Sequence, residues 1–243
     1  MDIVSITKKI EDNLFLQNEN PKSIAIKTNF LCEKDYPFST SFDFFKKVIG
    51  QIRKKYSGQI FLIEPEFLGV SWAGQVGDKI DFLKENKIML VQANKEKRLE
   101  IKVLGKFCLY IPKSWAEADI RVSISNAVVH RHHAKKTFWG GLNNIGLLFT
   151  RTNRDFSSLR RSMYESCLDP DYNAYINEVA GALKIHPVFS IVDAMKVGYS
   201  DEHSPVIREK FGNEYFGADF LTVEIDKEAI KKLKIPNSYS IKL

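Results

Sequence analysis

Three apolar runs decide how this chain folds: Ser23–Phe30 (SIAIKTNF), Gln59–Glu64 (QIFLIE) and Ile88–Ala93 (IMLVQA). Each is short, rich in Ile, Leu or Val, and turns polar at or near its end. That is the pattern of a strand buried on both faces. Between the first two, Phe44, Phe45, Val48, Ile49 and Ile52 recur at helical spacing within Phe42–Tyr56. Between the second and third, Val76, Ile80 and Leu83 do the same within Gly74–Glu85. Strand, helix, strand, helix, strand in that order predicts an α/β fold, a mainly parallel sheet covered by helices.

Beyond these runs, Glu100–Ile111 breaks at Gly105 and predicts a short antiparallel hairpin insertion. Ile120–Ser125 (IRVSIS) alternates as a further strand. Tyr172–Leu183 reads as a helix stopped near His186 and Pro187. Val188–Asp193 (VFSIVD) and Phe220–Ile225 (FLTVEI) read as two more strands, with Asp226 capping a helix over Lys227–Leu233. No repeat or Pro/Ser-rich linker divides the chain, so a single domain over residues 1–243 is expected.

Composition narrows the class. With 44% hydrophobic and 27% charged residues in 243, the chain can fill its own core. Collagen-like, coiled-coil and disordered proteins are excluded. The opening MDIVSITKKIEDN carries no apolar leader, and no apolar run nears the roughly 18–20 residues that cross a bilayer. Cys32, Cys108 and Cys167 are far apart and form no CxxC pair, so no zinc knuckle or contiguous iron–sulfur motif is written here. The expectation is a cytoplasmic protein with no membrane partner.

The charge is concentrated. From His130 to Arg161 there are seven Lys and Arg and one acid, Asp155, a surplus of six that equals the net charge of the whole chain. Such a stretch points to an anionic ligand: phosphate, carboxylate or a nucleic-acid backbone. The smaller cluster Lys46, Lys47, Arg53, Lys54 and Lys55 reads as a solvated helix face.

In open parallel sheets ligands bind at the carboxyl ends of strands. Lys27 and Asn29 end the first strand, Glu64 and Glu66 follow the second, Asn126 follows IRVSIS, and Asp193 ends VFSIVD. His130, His132 and His133 supply groups that titrate near neutrality. On a strand His130 and His132 share a face, but the surrounding cations disfavour a metal, so no metal ligands are assigned. The stretch from Lys135 to Gly146 mixes Lys136, Thr137, Asn144 and several glycines, a weak anion cradle. Walker, GxGxxG and GxSxG motifs are absent, and the sequence assigns no cofactor. The candidate catalytic groups are therefore His130, His132, His133, Asp193 and Glu64. The candidate substrate-binding groups are Lys27, Asn29, Lys136, Thr137, Asn144, Arg151 and Arg154.

Taken in order, IAIKTNF, HRHHAKKT, GLNNIG, FSIVDAM and GADFLTVEIDKEA resemble the segments of the domain of unknown function 362 family. The resemblance runs over about residues 22–235. It implies that Lys27, Asn29, the histidines, Thr137, Asn144, Gly146, Asp193, Gly217, Asp219 and Asp226 belong to family segments. Asn143 stands where the family has lysine, and Ala194 where it has glycine. Many members carry a ferredoxin-like cluster module, and this chain has none, so any cluster would sit on a separate protein. The family has no general reaction.

The first functional expectation is an enzyme taking a small anionic substrate, with Lys27, Lys136, Arg151 and Arg154 on the anion. The second is a nucleic-acid-binding protein, because Phe138, Trp139, Phe149 and Phe156 interleave with the cations. The third is a non-catalytic partner subunit of an iron–sulfur protein. The sequence leaves the oligomeric state open.

Overall fold

The computed structural model describes residues 1–30, 36–65, 76–103, 107–132, 135–150, 172–201 and 204–235. Its centre is the sheet that the three apolar runs predict. Strands β1 (Ser23–Lys27), β2 (Gln59–Glu64) and β3 (Ile88–Gln92) lie parallel. β6 (Ile120–His132) and β8 (Phe189–Asp201) continue the parallel set on the other side of β1. β9 (Ser204–Asp219) closes that edge antiparallel to β8, giving the order β3-β2-β1-β6-β8-β9. β7 (Lys135–Trp139) folds back antiparallel on β6. β4 (Arg98–Val103) and β5 (Phe107–Pro112) form the separate antiparallel hairpin.

Alternation along the strands feeds two cores. On one face Ile24, Ile26, Ile60, Leu62, Val122 and Ile191 meet α1 (Ile3–Asn13), α2 (Phe42–Lys55) and α3 (Ile80–Glu85). α2 forms where Ser41 caps it by accepting from the Phe44 amide at 3.2 Å. Asp43 in its first turn and Arg53, Lys54 and Lys55 in its last suit the helix dipole. A ring cluster of Phe30, Phe42, Phe45 and Phe82 packs under it at 5.2–6.2 Å between centroids. On the other face Ala25, Ile63, Val129 and Val192 meet the hairpin and four helices: α4 (Lys113–Glu117), α5 (Gly141–Gly146), α6 (Tyr172–Ala182) and α7 (Thr222–Lys232).

Five segments differ from the sequence reading. IRVSIS is the first half of a strand that runs on to His132, and Asp193 lies inside β8 rather than at its end. Lys135 to Gly146, read as an anion cradle without regular structure of its own, is β7 followed by α5. FLTVEI is not a strand: α7 begins at Thr222, with Thr222, Val223, Ile225, Asp226, Ala229 and Ile230 turned inward at helical spacing. Short β-branched apolar runs are compatible with either period, and here the packing of α7 against β8 and β9 decides. Asp226 therefore sits inside a helix and does not cap one. Part of the helix expected over Gly74–Glu85 is a 3-10 turn at Gly77–Lys79, and residues 74–75 lie outside the described residues.

The α2 cluster is not simply a solvated face. Arg53 donates to the carbonyls of Tyr56 at 3.2 Å and Gly58 at 2.8 Å, and also to those of Asn86 and Lys87. It thus ties the approach to β2 to the approach to β3. Arg53→Ala should lower the free energy of unfolding by about 1–2 kcal/mol, as for loss of charge-assisted bonds at a half-exposed site. Arg53→Lys should rescue little, because a point ammonium cannot span both turns. Urea unfolding of the two variants checks this.

Candidate functional site

β6 changes partner along one edge. Ile120 to Ser123 pair with β1, and Val128 to His132 pair with β7. Ile124 to Ala127 between them pair with neither, so the sheet is split there, at the carboxyl end of β1. The split is a pocket of about 20 Å³, lined chiefly by Asn29, Ser125, Asn126, Gly140, Asn144 and Leu147. That space holds a water or the head of a small oxyanion.

Behind the pocket lies a fully buried ion pair. Lys27 Nζ donates to Glu64 Oε2 at 2.7 Å, to Asn144 Oδ1 at 3.3 Å and to the Thr28 carbonyl. Glu64 Oε1 accepts from the Thr28 amide at 3.0 Å and from the Thr28 hydroxyl. Both side chains are 0–1% exposed, so this pairing decides whether they are tolerated at all. All three ammonium protons are used. Burial pushes the Lys27 ammonium below its ordinary value and the Glu64 carboxyl above its own, and each partner's charge pulls the other back.

Asn144 links this pair to the pocket wall. Its Nδ2 donates to the Lys27 carbonyl at 3.2 Å and to Ser123 Oγ at 2.9 Å. It can do so because Asp226, buried in α7, fixes the start of α5 by accepting from the Gly141 amide at 2.8 Å and the Leu142 amide at 2.9 Å. A Cβ on Gly140 would run into this carboxylate, which is why glycine precedes the helix. Burial drives the Asp226 carboxyl up to about 7 against those two amides.

One strand further on, Asp193 stands beside Asn126 in the ladder. Asp193 Oδ1 accepts from the Tyr36 hydroxyl at 2.9 Å and from the Met195 amide at 3.0 Å. Burial pushes its carboxyl up to about 6. Burial and the neighbouring carboxylate push the Tyr36 phenol up as well.

The structure thus brings together Lys27, Asn29, Glu64 and Asn144, with Asp193 one strand away. It does not bring the backbone of the histidine run to the pocket. His130 pairs with Thr137 and Ser200, four residues beyond Asn126 and about 13 Å along the strand. His132 pairs with Lys135, and Lys136 with Arg131. His133, Arg151 and Arg154, like Glu66, Cys32 and Cys167, lie outside the described residues. Among the described residues no three His, Cys, Asp or Glu side chains gather as a metal would require, and no helix is long and apolar enough to cross a membrane.

Tyr36, Thr28 and Ser123 were missed by sequence reasoning. Tyr36 sits in YPFST, a turn-like segment with no periodic signal. The polar pair Ser125-Asn126, followed at once by Ala127, Val128 and Val129, was the available sign that a buried strand passes a polar opening.

No family model matches the chain, and neither does any curated protein. The resemblance to the domain of unknown function 362 family therefore rests on the quoted segments alone. A solved structure, the lactate racemase apoprotein from Thermoanaerobacterium thermosaccharolyticum, is similar in fold: TM-score 0.58 at 16% identity over 94% of this chain. The match takes in 55% of that protein, so this chain spans about half its length. The likeness establishes a related α/β fold.

Two outcomes follow. Lys27→Met strands Glu64 and should cost about 3–5 kcal/mol near neutral pH. The lone Glu64 would then bind a proton in the folded state, so the deficit should shrink as pH falls from 7 to 5, and Lys27→Met/Glu64→Leu should recover most of it. Asp226 holds a proton up to about 7 that the unfolded chain releases near 3.8. Its contribution is complete below 3.8 and fades as pH rises through about 7, so Asp226→Asn should flatten that part of the stability profile. Thermal and urea unfolding across pH read both.

Proposed function

We propose that the split between β1 and β7 binds the oxyanion head of a small molecule, a carboxylate in the first instance, and that the protein is an α/β enzyme acting on it. The observation that carries this is the partner change of β6, which opens a pocket walled by Asn29, Asn126 and Asn144. Asn29 and Asn126 supply amide donors there, and Asn144 is held in place by the neutral Lys27–Glu64 pair behind it. The place is where ligands sit in open parallel sheets.

Asp193 is the proton-carrying group of this reading. With its carboxyl near 6, it holds a useful share of both protonation states around neutrality. Glu64 serves to hold Lys27 and not to exchange protons, since its oxygens are bound and buried. His130, His132, His133, Lys136, Thr137, Arg151 and Arg154 are proposed, on the sequence alone, as the outer part of the site that draws anions in. The fold shared with a lactate racemase agrees with a small carboxylate substrate.

Acetate, followed by amide NMR, should shift the resonances of Asn29 and Asn126 with saturation. Asn29→Ala should weaken that binding about ten-fold while the melting temperature moves little. Acetate that leaves the pocket untouched overturns the reading. Tight, steeply salt-dependent binding of a nucleic acid in its place would move the protein to the nucleic-acid class.

A further inference from the structure

The segment Tyr36 to Thr40 crosses the split and is fastened on both sides. On the β1 side the Asn29 amide donates to Thr40 Oγ1 at 2.8 Å, the Thr40 amide donates to the Asn29 carbonyl at 3.1 Å, and Ser39 Oγ donates there at 3.0 Å. On the β6 edge Thr40 Oγ1 donates to the Ile124 carbonyl at 3.2 Å, taking up one of the groups that the partner change leaves open. On the β8 side the Tyr36 hydroxyl donates to Asp193 Oδ1 at 2.9 Å and accepts from the Lys196 amide at 2.9 Å. Phe38 lies buried against Gly198, where a Cβ would approach its ring to 3.0 Å.

What the middle of this strap does is more telling. Asn29 Nδ2 donates to the Phe38 carbonyl at 3.0 Å, and Asn126 Nδ2 donates to the Pro37 carbonyl. The two amides are neighbours, with Asn29 Nδ2 at 3.4 Å from Asn126 Oδ1. Two adjacent side-chain donors at a pocket wall are thus both occupied by consecutive backbone carbonyl oxygens. Two oxygens side by side are also what a carboxylate presents.

We propose that the Pro37 and Phe38 carbonyls hold the place of a ligand's two oxygens, and that lifting the strap Tyr36–Thr40 hands Asn29 and Asn126 to a carboxylate. The inference rests on the reading of the split as an oxyanion site and names the donors of that site. Tyr36 is the latch, a positioning residue that touches no ligand. Its two bonds to β8 oppose opening, so they set the apparent affinity by mass action between a closed and an open state.

Acetate titration of the full chain and of Tyr36→Phe, with hydrogen exchange on the same samples, tests this. The phenyl ring keeps the packing and loses the latch. Tyr36→Phe should bind acetate about ten-fold tighter, the factor carried by one hydrogen bond to a carboxylate. Saturating acetate should speed exchange at the Thr40 and Lys196 amides in the wild type and leave β1 and β2 unchanged. Gly198→Ala, which pushes Phe38 outward, should act in the same direction. If wild type and both variants bind acetate equally with no change in exchange, the strap is a fixed wall: the latch is overturned and the oxyanion reading stands. If none of them binds acetate, both fall.

Discussion

A lysine ammonium and a glutamate carboxylate, both withdrawn from water at the ends of adjacent parallel strands, set the terms for everything around them. Neither ion can be buried alone, and the pair is tolerable only because its remaining donors and acceptors are filled by Thr28 and Asn144. Thr28 comes free with the strand. Asn144 does not: it reaches Lys27 from a six-residue helix that needs its own first amides satisfied. Asp226 does this from α7, at the opposite end of the chain. The polar end of the sheet is thus one continuous set of bonds from residue 27 to residue 226.

The same geometry explains why the opening lies where it does. β1 ends at Lys27 and turns away, while β6 continues to His132. Its later edge is taken by β7, which runs antiparallel to it and leads into α5. Residues 124–127 are left between two partners, and the chain meets their hydrogen-bonding demand with side chains and a strap in place of a strand. A regular sheet would have no polar opening there. The bulge between Asn126 and Val128 marks the same point on the β8 side.

Much of this was legible in sequence. Ile24 to Ile26, Ile60 to Ile63 and Ile88 to Val91 spelled the parallel sheet as apolar runs alternating with helical spacing, although β3 lies at the sheet edge with Met89 exposed. Lys27, Asn29 and Glu64 stood out because several polar groups end such runs together, where ligands bind in open parallel sheets. What stayed hidden was contact between distant segments. Nothing near Asp226 shows that its carboxylate reaches the start of α5, and FLTVEI carries a pattern that fits both periods until α7 packs. Asp193 looked terminal because an acid inside a strand is unexpected, yet Tyr36 and the Met195 amide accommodate it. The histidine run was conspicuous by composition, but strand register sets its backbone well beyond the pocket.

The split beside the buried pair is proposed as a site for two ligand oxygens. A crystal structure grown in acetate tests it most directly. The expected result is a carboxylate seated between Asn29 and Asn126, the strap displaced, and Lys27 and Glu64 still paired behind it. Acetate bound elsewhere, with the Pro37 and Phe38 carbonyls still holding both amides, would contradict it.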